Sequence, residues 1–189
     1  MGSGKTSSKD YFDAVAPQWE GMRSEFFTAG VREKAYARAG LRTGMTVADI
    51  GAGSGFLCEG LLGRGLRIVA VDQSQRMLDV LRGRLGGRAE LDCRRGEAER
   101  LPLEDASVNV AFANMVLHHV ESPPAAIAEL ARILKPGGRL VLTDLNAHRH
   151  GFLRREHHDR WLGFDHGDVR RWFGQAGLGA VSVENAGED

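Results

Sequence analysis

The stretch DIGAGSG, residues 49–55, sets Gly51, Gly53 and Gly55 at alternate positions directly after an apolar run. Such a loop lets a ligand approach bare backbone at the mouth of the helix that follows. Two carboxylates belong with it. Asp49 adjoins the loop, and Asp72 closes the next apolar run in "VAVDQS". A pyrophosphate beside Asp49 would meet a like charge a few ångströms away, whereas a cationic ligand would be favoured. Asp72 stands where a carboxylate can accept both hydroxyls of a ribose. The alternative for Asp72 is a helix N-cap. Further on, "LHHV" places His118 and His119 side by side. Imidazoles suit proton transfer near neutral pH, so these two are the candidate catalytic residues; structural packing of one is the alternative.

A second histidine group comprises His148, His150, His157, His158 and His166, with Asp159 and Asp165. Its spacing fits no standard zinc pattern, and His157 and His158 would diverge by about 100° on a helix. No metal is expected there; solvated helix faces and an occasional substrate contact account for the group. "GSGKT" at residues 2–6 resembles the end of a phosphate-binding loop. It lacks the preceding glycine and strand that such a loop requires, and reads as tail.

These groups need a scaffold that brings distant segments together. Apolar runs at 46–50, 67–72, 90–94, 108–114 and 139–144 read as strands, and 55–62, 74–85 and 124–134 as helices. Several strands are almost continuously apolar, as in "RIVAVD" and "RLVLTD". That is the pattern of a mostly parallel sheet covered on both faces, hence a doubly wound α/β fold. In "LKPGG", 134–138, Pro136 and Gly137 read as the end of the third helix. Pro123 and Pro124 read as its start. Helical segments before and after, 9–41 and 148–178, carry Tyr11, Phe12, Trp19, Phe26 and Phe27, then Phe152, Trp161, Phe164, Trp172 and Phe173. They suggest a lid over the open end of the sheet, or plain core packing. The expected organisation is a flexible tail at 1–8 and one domain at 9–189. Within it lie an N-terminal helical segment at 9–42, a cofactor core at 43–146, an acceptor-side segment at 147–178 and a last strand with tail at 179–189.

Composition bounds the partners. Twenty-five basic residues balance 25 acidic ones, and all but four of the basic ones are Arg. There is no basic stripe for nucleic acid and no basic amphipathic helix for a membrane surface. Only Cys58 and Cys93 occur, so neither a disulfide framework nor a zinc site is expected, and the cytoplasm is the expected location. No apolar run approaches a membrane span, and no signal peptide is expected.

The loop itself reads G-x-G-x-G, one position short of the G-x-G-x-x-G of dinucleotide folds. With Asp49 beside it, the loop favours S-adenosylmethionine, which carries an ammonium and a sulfonium but no phosphate, over NAD. Four ordered blocks then resemble the class I S-adenosylmethionine-dependent methyltransferases: "VADIGAGSGF", "VAVDQSQRML", "GEAERLPLEDASVNVAFANMVLHHV" and "ELARILKPGGRLVLTDL". The likeness spans about residues 11–185. Within that class the chain is similar to the small-molecule enzymes of ubiquinone and menaquinone biosynthesis, and to the methyltransferase domains that accompany metal-responsive repressors. The resemblance implies that Asp49, Gly51, Ala52 and Gly53 hold the methionine part and Asp72 the ribose. It implies Gln73 and Met77 beside the adenine, Glu97 and Ala98 at its edge, and Asn114 contributing from the fourth strand. It also implies that residues 147–178 form the acceptor pocket. Cys58 and Cys93 do not form the cysteine set of arsenic-methylating relatives.

The implied activity is methyl transfer to the O, N or C atom of a small organic acceptor. A non-catalytic S-adenosylmethionine-binding domain is the alternative, and an NAD-dependent oxidoreductase a more distant one. The class has seven strands. Here "GAVSVEN", 179–185, reads as the sixth with too few residues beyond it for another, so either the chain is truncated or another chain completes the edge, and a homodimer or a fragile monomer is expected.

Overall fold

The computed structural model describes residues 7–23 and 28–186. "GSGKT" and the Phe26–Phe27 pair lie outside them. Five strands form one all-parallel sheet: β1 (Thr46–Ile50), β2 (Arg67–Asp72), β3 (Leu91–Arg95), β4 (Val108–Asn114) and β5 (Leu134–Thr143), in the order β3-β2-β1-β4-β5. The doubly wound α/β reading is therefore what the chain adopts, and the strand order reverses between β1 and β4. Helix α3 (Ala29–Ala39), with α4 (Phe56–Leu61) and α5 (Gln75–Leu85), covers one face. Helix α6 (Pro123–Arg132) covers the other.

Alternation in β1 decides what each face meets. Val47 packs with Ala35, Tyr36 and Leu57, while Ala48 and Ile50 pack with Leu130 and Ile133. Both faces are thus apolar, and β1 needs no polar side except at its carboxyl end. Further helices flank this core: α1 (Ser8–Val15), α2 (Trp19–Arg23), α7 (Phe152–Glu156) and α8 (His166–Gln175).

Several expectations change. Ser7 and Asp10, the former read as tail, form a reciprocal capping box that starts α1 at Ser8. "LKPGG" is not a helix end. Helix α6 stops at Arg132, and Leu134 already pairs with Val108. The next registered pair is Val110 with Arg139, so residues 135–138 bulge out of the ladder, with Gly137 at φ 75°. Pro136 has no N–H to give a ladder, which suits it to the bulge.

Residues 179–185 form no strand. Side chains hold them instead. Arg38 forks onto Glu184 at 2.9 and 2.6 Å, and Lys34 reaches the Ala186 carbonyl at 2.8 Å. Lastly, α7 ends at Glu156, so His157 and His158 are loop residues, with His158 at φ 58°.

Candidate functional site

A cavity of about 400 Å³ opens at the carboxyl ends of β1, β2 and β4. All twelve site candidates from the sequence lie in its wall: Asp49, Gly51, Ala52, Gly53, Asp72, Gln73, Met77, Glu97, Ala98, Asn114, His118 and His119.

At one end the loop is bound to the sheet. Gly51 and Ala52 donate to the Val71 carbonyl at 2.8 and 3.1 Å. Gly51 has φ 68°, and a Cβ there would lie 2.3 Å from the Val116 side chain. Gly55, at φ 94°, begins α4 against Leu81 and Leu85, where a Cβ would meet carbons at 2.8–3.3 Å. Neither position admits a side chain without displacement.

Asp72 is not the N-cap of α5; Ser74 is, accepting from the Met77 N–H at 3.1 Å. Asp72 is nevertheless held fast. Its two oxygens accept from the Gly53 and Ser74 N–H groups, each at 2.8 Å. A carboxylate has about four acceptor sites, so two remain for a diol. Burial raises its pKa to about 6, against the lowering pull of those two N–H groups. Asp49 is more deeply buried, 2% exposed, and accepts from the Cys58 thiol at 3.2 Å. Burial lifts its pKa to about 7; the Cys58 bond opposes this and the Asp72 charge adds to it. At the rim of this end, the Gln73 amide donates to the Ser8 hydroxyl at 3.3 Å. Asn114 accepts from the Thr143 hydroxyl at 2.6 Å.

The other end is assembled from distant segments. His118 sits in a short 3-10 turn after β4, 4% exposed, with Nδ1 2.7 Å from Asp144 Oδ1. Burial alone would lower its pKa. The charge and hydrogen bond of Asp144, with Asp159, outweigh that and leave it raised. The His118 carbonyl accepts from the N–H groups of Arg160 and Trp161 at 2.9 and 3.1 Å. Trp161 Nε1 donates to the Val120 carbonyl at 3.0 Å. These bonds clamp the 157–161 loop onto the histidine turn and bring Asp159 inward. Asp159 Oδ1 lies 3.8 Å from His118 Nε2 and 3.8 Å from His119 Nδ1. Burial, then the charge of His118, holds His119 well below the usual imidazole range. Burial raises Asp159.

The expected lid is half present. Helix α1 roofs this end, with Phe12 edge-on to His119 at 4.9 Å between centroids and Tyr11 over His158 at 4.9 Å. Tyr11 Oη lies 3.2 Å from His157 Nδ1. Of the late aromatics, Phe164, Trp172 and Phe173 pack with Leu117 and Ile127 instead. Phe152 and Trp161 are exposed. His148, His150, His158 and His166 are not in the cavity wall, whereas His157 is.

Sequence reasoning missed the orienting role of Asp144. The signal was available: Asp144 follows β5 directly, as Asp49 and Asp72 stand at the ends of β1 and β2. The Asp159 contact had no signal, because 40 residues and an irregular loop separate it from the histidine pair.

Comparison with known proteins agrees with this architecture. The profile of the methyltransferase domain matches residues 48–142, half of the chain. An uncharacterized methyltransferase of Mycobacterium tuberculosis is 48% identical over 96 residues, 51% of this chain and 38% of that protein. The demethylmenaquinone methyltransferase of Renibacterium salmoninarum is 33% identical over 139 residues, 71% of this chain and 57% of that protein. The chain thus spans roughly two-fifths to three-fifths of these relatives' lengths. The solved structure of phosphoethanolamine N-methyltransferase 2 of Haemonchus contortus, in complex with phosphomonomethylethanolamine and S-adenosylhomocysteine, has the same fold. Its TM-score is 0.81 at 21% identity, over 96% of this chain and 46% of that one. With the profile, the sheet order and the cavity at the β1–β4 switch point all in agreement, the chain belongs to the methyltransferase domain family.

Proposed function

We propose that the cavity binds S-adenosylmethionine and that the chain transfers its methyl group to a small organic acceptor. One observation carries this reading. Two buried carboxylates, Asp49 and Asp72, flank the glycine loop where a dinucleotide would set its phosphates. The sulfonium and ammonium of the cofactor suit that wall, and Asp72 keeps two acceptor sites for the ribose diol. Gly51, Ala52 and Gly53 line the methionine part. Gln73, Met77, Glu97 and Ala98 surround the adenine, and Asn114 faces the junction. Bound NAD would place pyrophosphate oxygens against Asp49.

Transfer is an in-line displacement. A lone pair on the acceptor forms the new bond to carbon, the carbon–sulfur bond breaks, and its electron pair stays on sulfur. S-adenosylhomocysteine is the product. The sulfonium is already a good leaving group, so the protein supplies alignment and exclusion of water. His118 and His119 face the acceptor end. His118 Nδ1 is fixed by Asp144, which directs Nε2 into the cavity toward an acceptor proton. Phe12, Tyr11 and Leu153 give that end its apolar wall, which favours an acceptor with an apolar body.

Calorimetry against S-adenosylmethionine, S-adenosylhomocysteine and NAD tests the cofactor. The first two are expected to bind with micromolar affinity and NAD not at all; binding of NAD alone overturns the proposal. No helix among the described residues is long and apolar enough to cross a membrane. The two free cysteines support a cytoplasmic setting. Among the described residues β5 pairs on one side only, which supports a homodimer through that edge. A monomer by light scattering at high concentration removes it.

A further inference from the structure

The acceptor end holds an arrangement that proton transfer alone does not explain. Asp159 Oδ1 stands midway between two imidazoles, 3.8 Å from His118 Nε2 and from His119 Nδ1. That is too far for a hydrogen bond to either. His119 Nδ1 is sealed from solvent and has no hydrogen-bond partner. One donor atom from each of the three residues lies within 4.8 Å of the others. A buried polar atom left in this state, as His119 Nδ1 is, costs stability unless something occupies the space beside it. In a tetrahedral zinc site with bonds of about 2.1 Å, ligand atoms stand about 3.4 Å apart. The two gaps to Asp159 need to close by about 0.4 Å to match, and the imidazole pair, within 4.8 Å, has up to about 1.4 Å to close.

We propose that His118, His119 and Asp159 bind a divalent transition-metal ion of the zinc type, leaving its open position to an oxygen of the methyl acceptor. Two imidazoles and one carboxylate make the donor set of an open zinc site rather than a closed structural one. Asp144 completes it as the carboxylate on the far nitrogen of a ligating histidine, which fixes the tautomer and the direction of Nε2. The clamp of Arg160 and Trp161 N–H groups on the His118 carbonyl holds the third ligand in place. The role of the ion toward the acceptor rests on the reading of this end given above; its binding does not. Toward the acceptor it selects a phenol, enol or carboxylate. The acceptor oxygen gives up its proton to water because it lies on the cation. An oxygen lone pair then takes the methyl group as the carbon–sulfur bond breaks.

The test is titration of chelator-stripped protein with Co2+, followed by visible absorption and calorimetry, with Zn2+ as competitor. One ion per chain with tetrahedral-type bands is expected, displaced by Zn2+. His119→Ala and Asp159→Asn should abolish it, and Asp144→Asn should weaken it about 10–100-fold. Unchanged S-adenosylhomocysteine affinity in these variants shows that they fold and separates this site from the cofactor site. For wild-type protein alone, Zn2+ should shift the imidazole nitrogen resonances of His118 and His119. Failure of wild type to bind at millimolar Co2+, Co2+ binding that survives His118→Ala/His119→Ala/Asp159→Asn, or unshifted imidazole resonances overturns the proposal.

Discussion

Asp72 and Asp159 are both buried carboxylates in the wall of one cavity, 8% and 6% exposed. Asp72 accepts two backbone N–H groups at 2.8 Å, both from residues within 20 positions of it. Asp159 lies 3.8 Å from two imidazoles some 40 residues away and hydrogen-bonds neither. The first carboxylate is positioned by the same βαβ unit that forms the loop, so its geometry comes with the sheet. The second is carried in by an irregular loop after β5, and is completed only by what binds. One end of the cavity is therefore preorganised for a common ligand. The other is assembled from distant segments and is held by the hydrogen bonds that dock the late loop on the histidine turn.

The largest effect expected is at the end assembled from distant segments. His118→Ala and His119→Ala should each lower turnover about 100-fold or more, whether the imidazoles take a proton or hold an ion. S-adenosylhomocysteine affinity should stay within about twofold, because neither ring touches the glycine loop. Single-turnover assays over a panel of phenols, enols and amines, paired with calorimetry, separate the two readouts. Full turnover in both variants would remove any chemical role for the pair.

At the preorganised end, Asp72→Asn should weaken S-adenosylhomocysteine about 10–100-fold. It removes a charge-assisted acceptor worth roughly 1.5–3 kcal/mol and leaves an amide N–H facing a backbone donor. Unchanged affinity would take the ribose away from Asp72.

The contrast also explains what the sequence revealed. Strand ends and the glycine loop are local patterns, so Asp49 and Asp72 could be placed from apolar runs and spacing, while Asn114 came with the family resemblance. Three of the strands fall at the residues read for them. The misreadings lie where long-range contacts override local pattern. "LKPGG" has the residues of a helix stop, yet Leu134 is captured by β4 first. Residues 179–185 alternate like a strand, but Arg38 holds Glu184 by its side chain and Lys34 the Ala186 carbonyl just beyond. Ser74, not Asp72, caps α5, because the Asp72 oxygens are already taken by the loop and by Ser74 itself. Asp159 has no local signature at all. Its position depends on two hydrogen bonds to the His118 carbonyl that exist only once the late loop has docked.

Protonation should sharpen the comparison further. Burial raises Asp72 to about 6 and Asp49 to about 7, above the ordinary 3.8. The cationic cofactor needs both carboxylates ionised, so its affinity should be flat only above about pH 8 and begin to fall as Asp49 takes its proton near 7. It should then fall more steeply below about 6, where Asp72 also takes its proton. Stability runs the other way. A carboxyl with a raised folded pKa contributes stability below about pH 4, and that contribution is lost as pH rises through the folded value. Asp49→Asn, which keeps an acceptor for the Cys58 thiol, should therefore stabilise the unliganded protein relative to wild type at pH 8 and not at pH 4. Paired urea melts at the two pH values check this. An equal difference at both would show that Asp49 does not carry the buried charge.

The smallest effect expected separates the preorganised end from the roof above it. Ser74 Oγ accepts the Met77 N–H at 3.1 Å as the α5 cap, and lies 2.6 Å from Asp13 Oδ1 on α1, to which it donates. Ser74→Ala should cost about 1 kcal/mol through the cap, a fall in Tm of about 2–4 °C for a chain of this size. The same change releases α1, whose Phe12 and Tyr11 lie over the acceptor end. Since the Ser74 N–H still holds Asp72, cofactor affinity should move less than about threefold. Hydrogen exchange should rise in residues 8–15 and stay constant in β1 and β2. Equal loss of protection in α1 and in the strands would mean that roof and cradle open as one unit.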